Sequence, residues 1–281
     1  MALSDVELRD LGRLQYQSSG QVDWTRLLPW IPAGFLGAAA IAVGLALMDV
    51  FGCYFVVVIP AIAGIGTYHL ASRVIEYGHC RSQFVAFLVT LPIGLIAYLG
   101  YYQVQFAHET GWEMASRIDL LPKIIWTGWK TRVLVGREGF KGGPDDLTFT
   151  CNVVVFIAEL MIVGIFAHLG GVNTTNRVYA ESRQSWTKSV TRIVSEKWGL
   201  QIEQSIRSND LANLMPSIQV MPIPDPKHPP PRTIMTLEYT DDGEMPNGYL
   251  SVTHVSNRGS VIVKQLQLTA EEFHACGPLF L

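Results

Sequence analysis

The pattern of charged and apolar positions divides the chain into long uncharged stretches and a charged C-terminal part. Four apolar stretches occupy residues 27–48, 50–72, 84–106 and 151–171. Each is long enough to cross the hydrocarbon core of a bilayer, which requires about 20 apolar helical residues. A soluble core can bury one such stretch, but a chain of this size has too little core for four. The pattern therefore predicts four transmembrane helices over residues 27–171.

The first two stretches follow one another almost without interruption. Asp49 is the only charged residue between Leu27 and Arg73, and this interval is too long for one membrane crossing. Because aspartate and glycine favour turns, Asp49 and Gly52 predict a tight helical hairpin. The first stretch starts too late and is too long for a cleaved signal peptide, so we expect residues 1–26 to form a polar N-terminal tail.

The segment between the third and fourth stretches, residues 107–150, alternates apolar and basic positions. It contains Trp112, Trp126 and Trp129, and tryptophans among scattered Lys and Arg residues are typical of segments at the lipid headgroups. The pattern favours an amphipathic interfacial loop. A small folded loop packed on the helix ends fits the same residues, and the sequence leaves both interpretations open.

After residue 171 the chain becomes charged and rich in β-branched residues. Residues 233–239, 249–255 and 260–268 predict three strands, to which residues 200–206 and 218–221 are expected to contribute. Thr269 and Glu272 have the spacing of a capping box, which predicts a short helix ended by Gly277 and Pro278. Residues 172–281 therefore predict a soluble α+β domain with an antiparallel sheet.

Two further patterns lie within this predicted domain. Trp186, Val190, Val194 and Trp198 recur every four residues, which predicts an amphipathic helix that ends at Gly199. The proline-rich segment 222–231 is expected to be a stiff, extended spacer.

Composition narrows the classes of protein that the chain can belong to. Hydrophobic residues make up 49% and charged residues 16% of the 281 residues, where soluble proteins carry about 25% charged residues. The net charge of −3 argues against nucleic-acid binding. Four cysteines are too few for a disulfide scaffold.

The distribution of basic residues favours cytoplasmic N- and C-termini. Lys and Arg near the membrane are more numerous on the side that would hold both termini than on the side of the 107–150 loop. The first group comprises Arg9, Arg13, Arg26, Arg73, Arg81, Arg177, Arg183, Lys188 and Arg192, and the second comprises Arg117, Lys123, Lys130, Arg132, Arg137 and Lys141. The sequence thus predicts a multi-pass integral membrane protein.

Ionisable residues within the apolar stretches are the candidate functional residues. Glu159 lies near the middle of the fourth stretch, where a charge is costly and usually faces the protein interior. It is either a neutral residue hydrogen-bonded to a neighbouring helix or a proton or cation site. His69 and His168 lie near the same ends of two helices that run in the same direction, so they are candidates for binding haem b or a metal. Two separate histidines at the membrane interface fit the same positions.

The sequence contains none of the common nucleotide-binding, hydrolase or metalloprotease motifs, so it predicts no catalytic residues, no metal site and no cofactor. This absence favours a non-enzymatic protein. We therefore expect a membrane-anchored interaction or scaffold protein that presents its α+β domain to a protein partner or to further copies of itself. The alternative is a transport or redox subunit, of the haem or quinone type, that uses Glu159, His69 and His168.

Overall fold

The structure of the chain is a computed structural model. It describes residues 3, 5–50, 58–131, 146–180, 184–221, 232–240, 248–255 and 260–280. The chain forms two units: a helical unit, Ser19–Asn176, and a mixed unit that combines Met1–Ser18 with Arg177–Leu281.

Nine α-helices are present in the described part of the chain. They are α1 (Asp5–Asp10), α2 (Trp24–Val50), α3 (Val58–Tyr77), α4 (Gln83–Thr110), α5 (Leu121–Thr131), α6 (Asp146–Thr175), α7 (Glu196–Ser208), α8 (Leu211–Leu214) and α9 (Ala270–Phe280). Helices α2 to α6 form the helical unit.

Three of these helices are long and apolar enough to cross a membrane. The qualifying segments are Trp24–Met48, Gln83–Thr110 and Thr150–Thr175, which correspond to the first, third and fourth predicted stretches. The remaining stretch, 50–72, lies partly outside the described residues, because the structure describes residues 50 and 58–72 but not 51–57. The chain is thus a mostly helical protein of the membrane class with a C-terminal antiparallel sheet.

The segment after α4 is folded against the helices. It continues as two short 3₁₀ turns and α5, and residues 132–145 lie outside the described part. Leu121, Ile124 and Ile125 of α5 pack on the cluster that contains Tyr98 and Tyr101 of α4. This packing leaves the predicted amphipathic interfacial loop and the small folded loop both open, because a segment packed on helix ends can also lie at the headgroups.

Small residues allow the helices of this unit to approach closely. Ala38, Ala42 and Ala46 form a buried ridge along α2, as their spacing of four residues predicts. The closest approach joins α3 and α6, where a Cβ atom at Gly170 would collide with the carbonyl oxygen of Tyr68. A side chain at this position is therefore incompatible with the helix spacing.

The mixed unit is built on a four-stranded antiparallel sheet in the order β3-β4-β5-β6. Its strands are β3 (Lys188–Ser195), β4 (Arg232–Tyr239), β5 (Gly248–Val255) and β6 (Ser260–Gln267), and a separate hairpin pairs β1 (Tyr179–Ala180) with β2 (Ser185–Trp186). The three strands predicted at 233–239, 249–255 and 260–268 are confirmed. Residues 218–221 join the sheet through a bridge between Val220 and Val194.

Helices cover one face of this sheet. Gly199 of α7 lies against Thr233 of β4, where an added Cβ atom would be 2.6 Å from the threonine Oγ1. On the same face, the Arg192 guanidinium of β3 donates to the carbonyl oxygens of Leu279 and Phe280 in α9, at 3.0 and 3.1 Å. The capping box of α9 is confirmed, since Thr269 N donates to Glu272 at 2.9 Å and Glu272 N donates to Thr269 Oγ1 at 3.3 Å.

The N-terminal residues belong to this sheet unit. Leu3 and Leu8 are buried in its core, and Gln15 pairs with Leu266 of β6. The Arg13 guanidinium forms a two-bond ion pair with Glu272, at 2.6 and 2.5 Å, and both side chains are 5% exposed. The first 18 residues of the predicted polar tail 1–26 are therefore part of a folded unit. Their apolar positions are too sparse to indicate a partner so distant in the chain.

Four local predictions in this unit are wrong. Residues 186–198 are not one helix but β2, β3 and the start of α7, because positions four apart share a face in a strand as well as in a helix. Gly199 does not stop a helix, and residues 200–206 are helical rather than extended, since both lie within α7. Helix α9 continues through Pro278 instead of ending there.

The close packing of α3 on α6 at Gly170 predicts how substitutions in α6 change the stability of the helical unit. Gly170→Ala should destabilise the helical unit by about 1–3 kcal/mol, because the added methyl group meets backbone rather than a movable side chain. Gly164→Ala, in the same helix, meets nothing within 4 Å and should stabilise the unit by up to about 1 kcal/mol through helix propensity. Thermal unfolding of both variants in detergent measures the difference, and equal effects would contradict the close contact.

The Arg13–Glu272 pair predicts that the stability of the mixed unit depends on pH. Burial raises the pKa of Glu272, but the Arg13 guanidinium and the Thr269 amide outweigh this effect, so the pKa lies below its usual value. A lowered carboxyl pKa contributes stability that is present above the unfolded-state pKa and is lost as pH falls through the folded-state pKa. The mixed unit should therefore unfold more readily in acid.

Variants separate this effect from general acid sensitivity. Glu272→Gln should cost about 3–5 kcal/mol at pH 7, because it leaves the Arg13 charge buried without a counter-ion, and it should weaken the acid dependence. The exposed neighbour Glu271 supplies the control Glu271→Gln, which should change neither. Near-ultraviolet circular dichroism during heating, between pH 7 and pH 3, provides the measurement.

Candidate functional site

Glu159 lies inside the helical unit and is hydrogen-bonded to a neighbouring helix. Its side chain, on α6, is 4% exposed. The Tyr98 hydroxyl of α4 donates to Glu159 Oε2 at 2.7 Å, and the Tyr102 hydroxyl lies 3.5 Å from the same oxygen. Of the two interpretations of Glu159, this geometry corresponds to a residue that is hydrogen-bonded to a neighbouring helix.

Aromatic rings enclose this carboxyl group. Tyr98 and Tyr102 are one helical turn apart, with their hydroxyl oxygens 3.1 Å apart and their rings edge to face. The Phe156 ring lies 5.4 Å from the Tyr98 ring and 5.6 Å from the Tyr102 ring, measured between centroids. The three polar groups therefore form a short hydrogen-bonded row within an apolar surround, where each bond is shielded from water.

A small cavity adjoins the carboxyl group on the side of α2 and α3. Its volume is about 10 Å³, and Leu45, Ile59, Pro60 and Ala63 line it together with Tyr98, Tyr101 and Glu159. A cavity of about this size holds at most one water molecule. The space beside Glu159 is therefore too small for an organic substrate.

The two histidines are not in contact. His69 of α3 is exposed and lies edge-on to the Tyr68 ring, with centroids 5.4 Å apart. His168 of α6 lies edge-on to the Phe87 ring of α4 at 5.3 Å, and its buried Nδ1 has no hydrogen-bond partner. No group of three or more His, Cys, Asp or Glu residues suited to a metal ion occurs in the described ranges. A shared haem site stays a prediction that these contacts do not support.

The two tyrosines that complete the site are not among the residues predicted from the sequence. The apolar stretches contain no Lys or Arg that could pair with Glu159, but a phenol hydroxyl is also a hydrogen-bond donor. The available signal was a pair of tyrosines at a spacing of four residues in the middle of an otherwise apolar helix. That signal identifies a polar helix face, although it does not say which helix the face contacts.

The mixed unit contains a separate cavity of about 320 Å³ near the N-terminal segment. Arg9, Arg13 and three glutamines, Gln15, Gln17 and Gln267, line it with two leucines. The lining is polar and partly open, which is compatible with a small polar ligand. None of the sequence motifs for a cofactor falls on these residues.

The contact between Tyr98 and Glu159 makes a prediction about stability. Tyr98→Phe and Glu159→Leu should each destabilise the helical unit by about 1 kcal/mol, the usual scale of an interhelical hydrogen bond in a membrane protein. The double variant should cost less than the sum, because both changes remove the same bond. Thermal unfolding in detergent provides the three values, and strict additivity would contradict the bond. Glu159→Gln keeps an acceptor for Tyr98 and serves as the matched control.

In comparisons with known protein families, curated proteins and solved structures, none matches the chain.

Proposed function

We propose that the protein is a four-span membrane anchor that holds its mixed unit at one membrane face and presents it to a protein partner. The observation that carries this proposal is that the first 18 residues fold together with Arg177–Leu281 in the mixed unit. Both ends of the helical unit therefore connect to the same folded body. A folded body lies on one side of a bilayer, which supports an even number of crossings between residues 19 and 176.

An even number of crossings supports the proposal of four spans. Three helices have the length and apolar character of membrane spans, and a fourth crossing would bring both ends to the same side. Helix α3 is the candidate for it, because the apolar stretch that includes α3 begins at residue 50. The distribution of Lys and Arg favours the cytoplasm for that side.

The interior of the helical unit agrees better with an anchor than with a transport path. Its polar centre at Glu159 is satisfied by Tyr98, and the adjoining cavity holds at most one water molecule. Interactions of this kind fix helices against one another. The alternative of a transport or redox subunit rests on the ionisable character of Glu159, His69 and His168 alone.

The sheet offers the surface for a partner. Helices α7 and α9 cover one face, whereas six positions on the opposite face of β3, β4 and β5 are exposed or half-buried. This open face comprises Thr191, Ile193, Ile234, Thr236, Ser251 and Thr253. Its mixture of hydroxyl groups and isoleucines resembles the balance of polar and apolar area found at protein interfaces.

Cysteine labelling tests both parts of this proposal. In a Cys151→Ser background, Ser18→Cys and Thr191→Cys should react with a membrane-impermeant maleimide only after the cells are opened, because both positions belong to one cytoplasmic unit. Labelling of either cysteine in intact cells would contradict the topology. Labelling of the background chain is subtracted in each case.

The same variants test for a bound partner. Thr191→Cys should react several-fold more slowly in native membranes than in purified protein, because a partner covers the open face. Gln201→Cys on the exposed side of α7 is the matched control and should react equally in both. Equal rates at Thr191→Cys in the two preparations would contradict an interaction through this face.

A further inference from the structure

One face of α3 changes from apolar to polar along its length. Ile62, Ile65, His69, Arg73 and Tyr77 are spaced by three or four residues, so they share one side of the helix, and all five are exposed. In a helix that crosses a bilayer, exposed isoleucines contact acyl chains. The three residues that follow them along the same face therefore approach the headgroup region.

An aromatic pair marks the level of the headgroups at this end of the helix. The Trp30 ring of α2 stacks on the Tyr77 ring at a centroid distance of 4.8 Å, and the two residues are 38% and 46% exposed. Tryptophan and tyrosine collect at the membrane–water interface. Arg73 lies one turn before Tyr77, which places it about 6 Å closer to the apolar part of α3.

Arg73 retains donors that no described residue of the chain uses. Its side chain is 63% exposed, and one nitrogen, Nη1, contacts Glu76 Oε2 at 3.1 Å. The guanidinium carbon lies 5.9 Å from the centre of the Tyr77 ring. Because a guanidinium has five N–H donors, most remain available at a depth where water is scarce and lipid phosphate is the abundant acceptor.

Further donors lie one turn deeper on the same side. The exposed His69 ring is edge-on to the Tyr68 ring, and the Asn173 amide of α6 lies 3.4 Å from the Tyr68 hydroxyl. These groups widen the polar patch around Arg73 toward α6. Charge-assisted hydrogen bonds from arginine are the strongest contacts available to a phosphate oxygen.

We propose that Arg73 and His69 bind the phosphate diester of a membrane phospholipid. The headgroup of this lipid rests against Trp30 and Tyr77, and its acyl chains follow Ile62 and Ile65. This site rests on the proposed function in one respect, namely that α3 crosses the membrane. It accounts for an exposed histidine and arginine on a helix face that begins as a lipid-facing surface.

Native mass spectrometry of the full chain in detergent tests the site. Phosphatidylglycerol and, separately, phosphatidylcholine are titrated onto the wild-type protein and Arg73→Gln. Arg73→Gln should weaken the tightest lipid-binding event by about tenfold for both lipids, because it removes a charge-assisted hydrogen bond to the phosphate that they share. His69→Ala should weaken the same event by a smaller factor.

A matched control is available at another arginine. Arg117 is 53% exposed and pairs with Asp119 at 2.8 Å, so Arg117→Gln should leave lipid binding unchanged. Wild-type affinity in Arg73→Gln would overturn the proposal. Competition by glycerol 3-phosphate at the same concentration as lipid would also overturn it, because the site would then take a soluble phosphate. If Arg73→Gln changes the oligomeric state of the protein but not its lipid affinity, this face of α3 binds a second copy of the chain instead.

Alkaline extraction of membranes distinguishes failure of this site from failure of the proposed function. Release of the wild-type chain would contradict the membrane anchor itself. Retention of the chain together with unchanged lipid affinity in Arg73→Gln would contradict the lipid site alone.

Discussion

The structure depends on the union of the two ends of the chain in one folded unit. The buried pair of Arg13 and Glu272 joins positions separated by nearly the whole sequence, and the bridge from Gln15 to Leu266 adds the N-terminal segment to the sheet. All the long apolar helices lie between these residues. The path of the chain through them therefore begins and ends at the same folded unit.

Elements in which the apolar residues follow one clear pattern were predictable from the sequence. The strands β4, β5 and β6 are rich in β-branched residues, and the long apolar stretches matched α2, α4 and α6. The segment 186–198 was not predictable in this way, because apolar residues four apart suit the face of a strand and the face of a helix equally. Tertiary packing on the sheet decided between them.

Contacts between residues that are distant in the sequence were the other part of the structure that could not be predicted. Glu159 was identifiable because a carboxylate is rare in a transmembrane segment, whereas Tyr98 was not, because tyrosine is unremarkable there and nothing in a single sequence pairs two helices. Arg13 and Glu272 are ordinary charged residues in their local contexts. Their burial follows from the fold as a whole, so a local pattern carries no record of it.

The mixed unit combines segments from both sides of the apolar helices, so its parts are synthesised at different times. Residues 1–18 leave the ribosome before the apolar helices, whereas their partners in β6 and α9 are made after those helices. The apolar helices are therefore synthesised and available to the insertion machinery while residues 1–18 are still without their sheet. A chain that stops short of residue 272 leaves Arg13 without its carboxylate, so the sheet unit is completed only after α9 has been made.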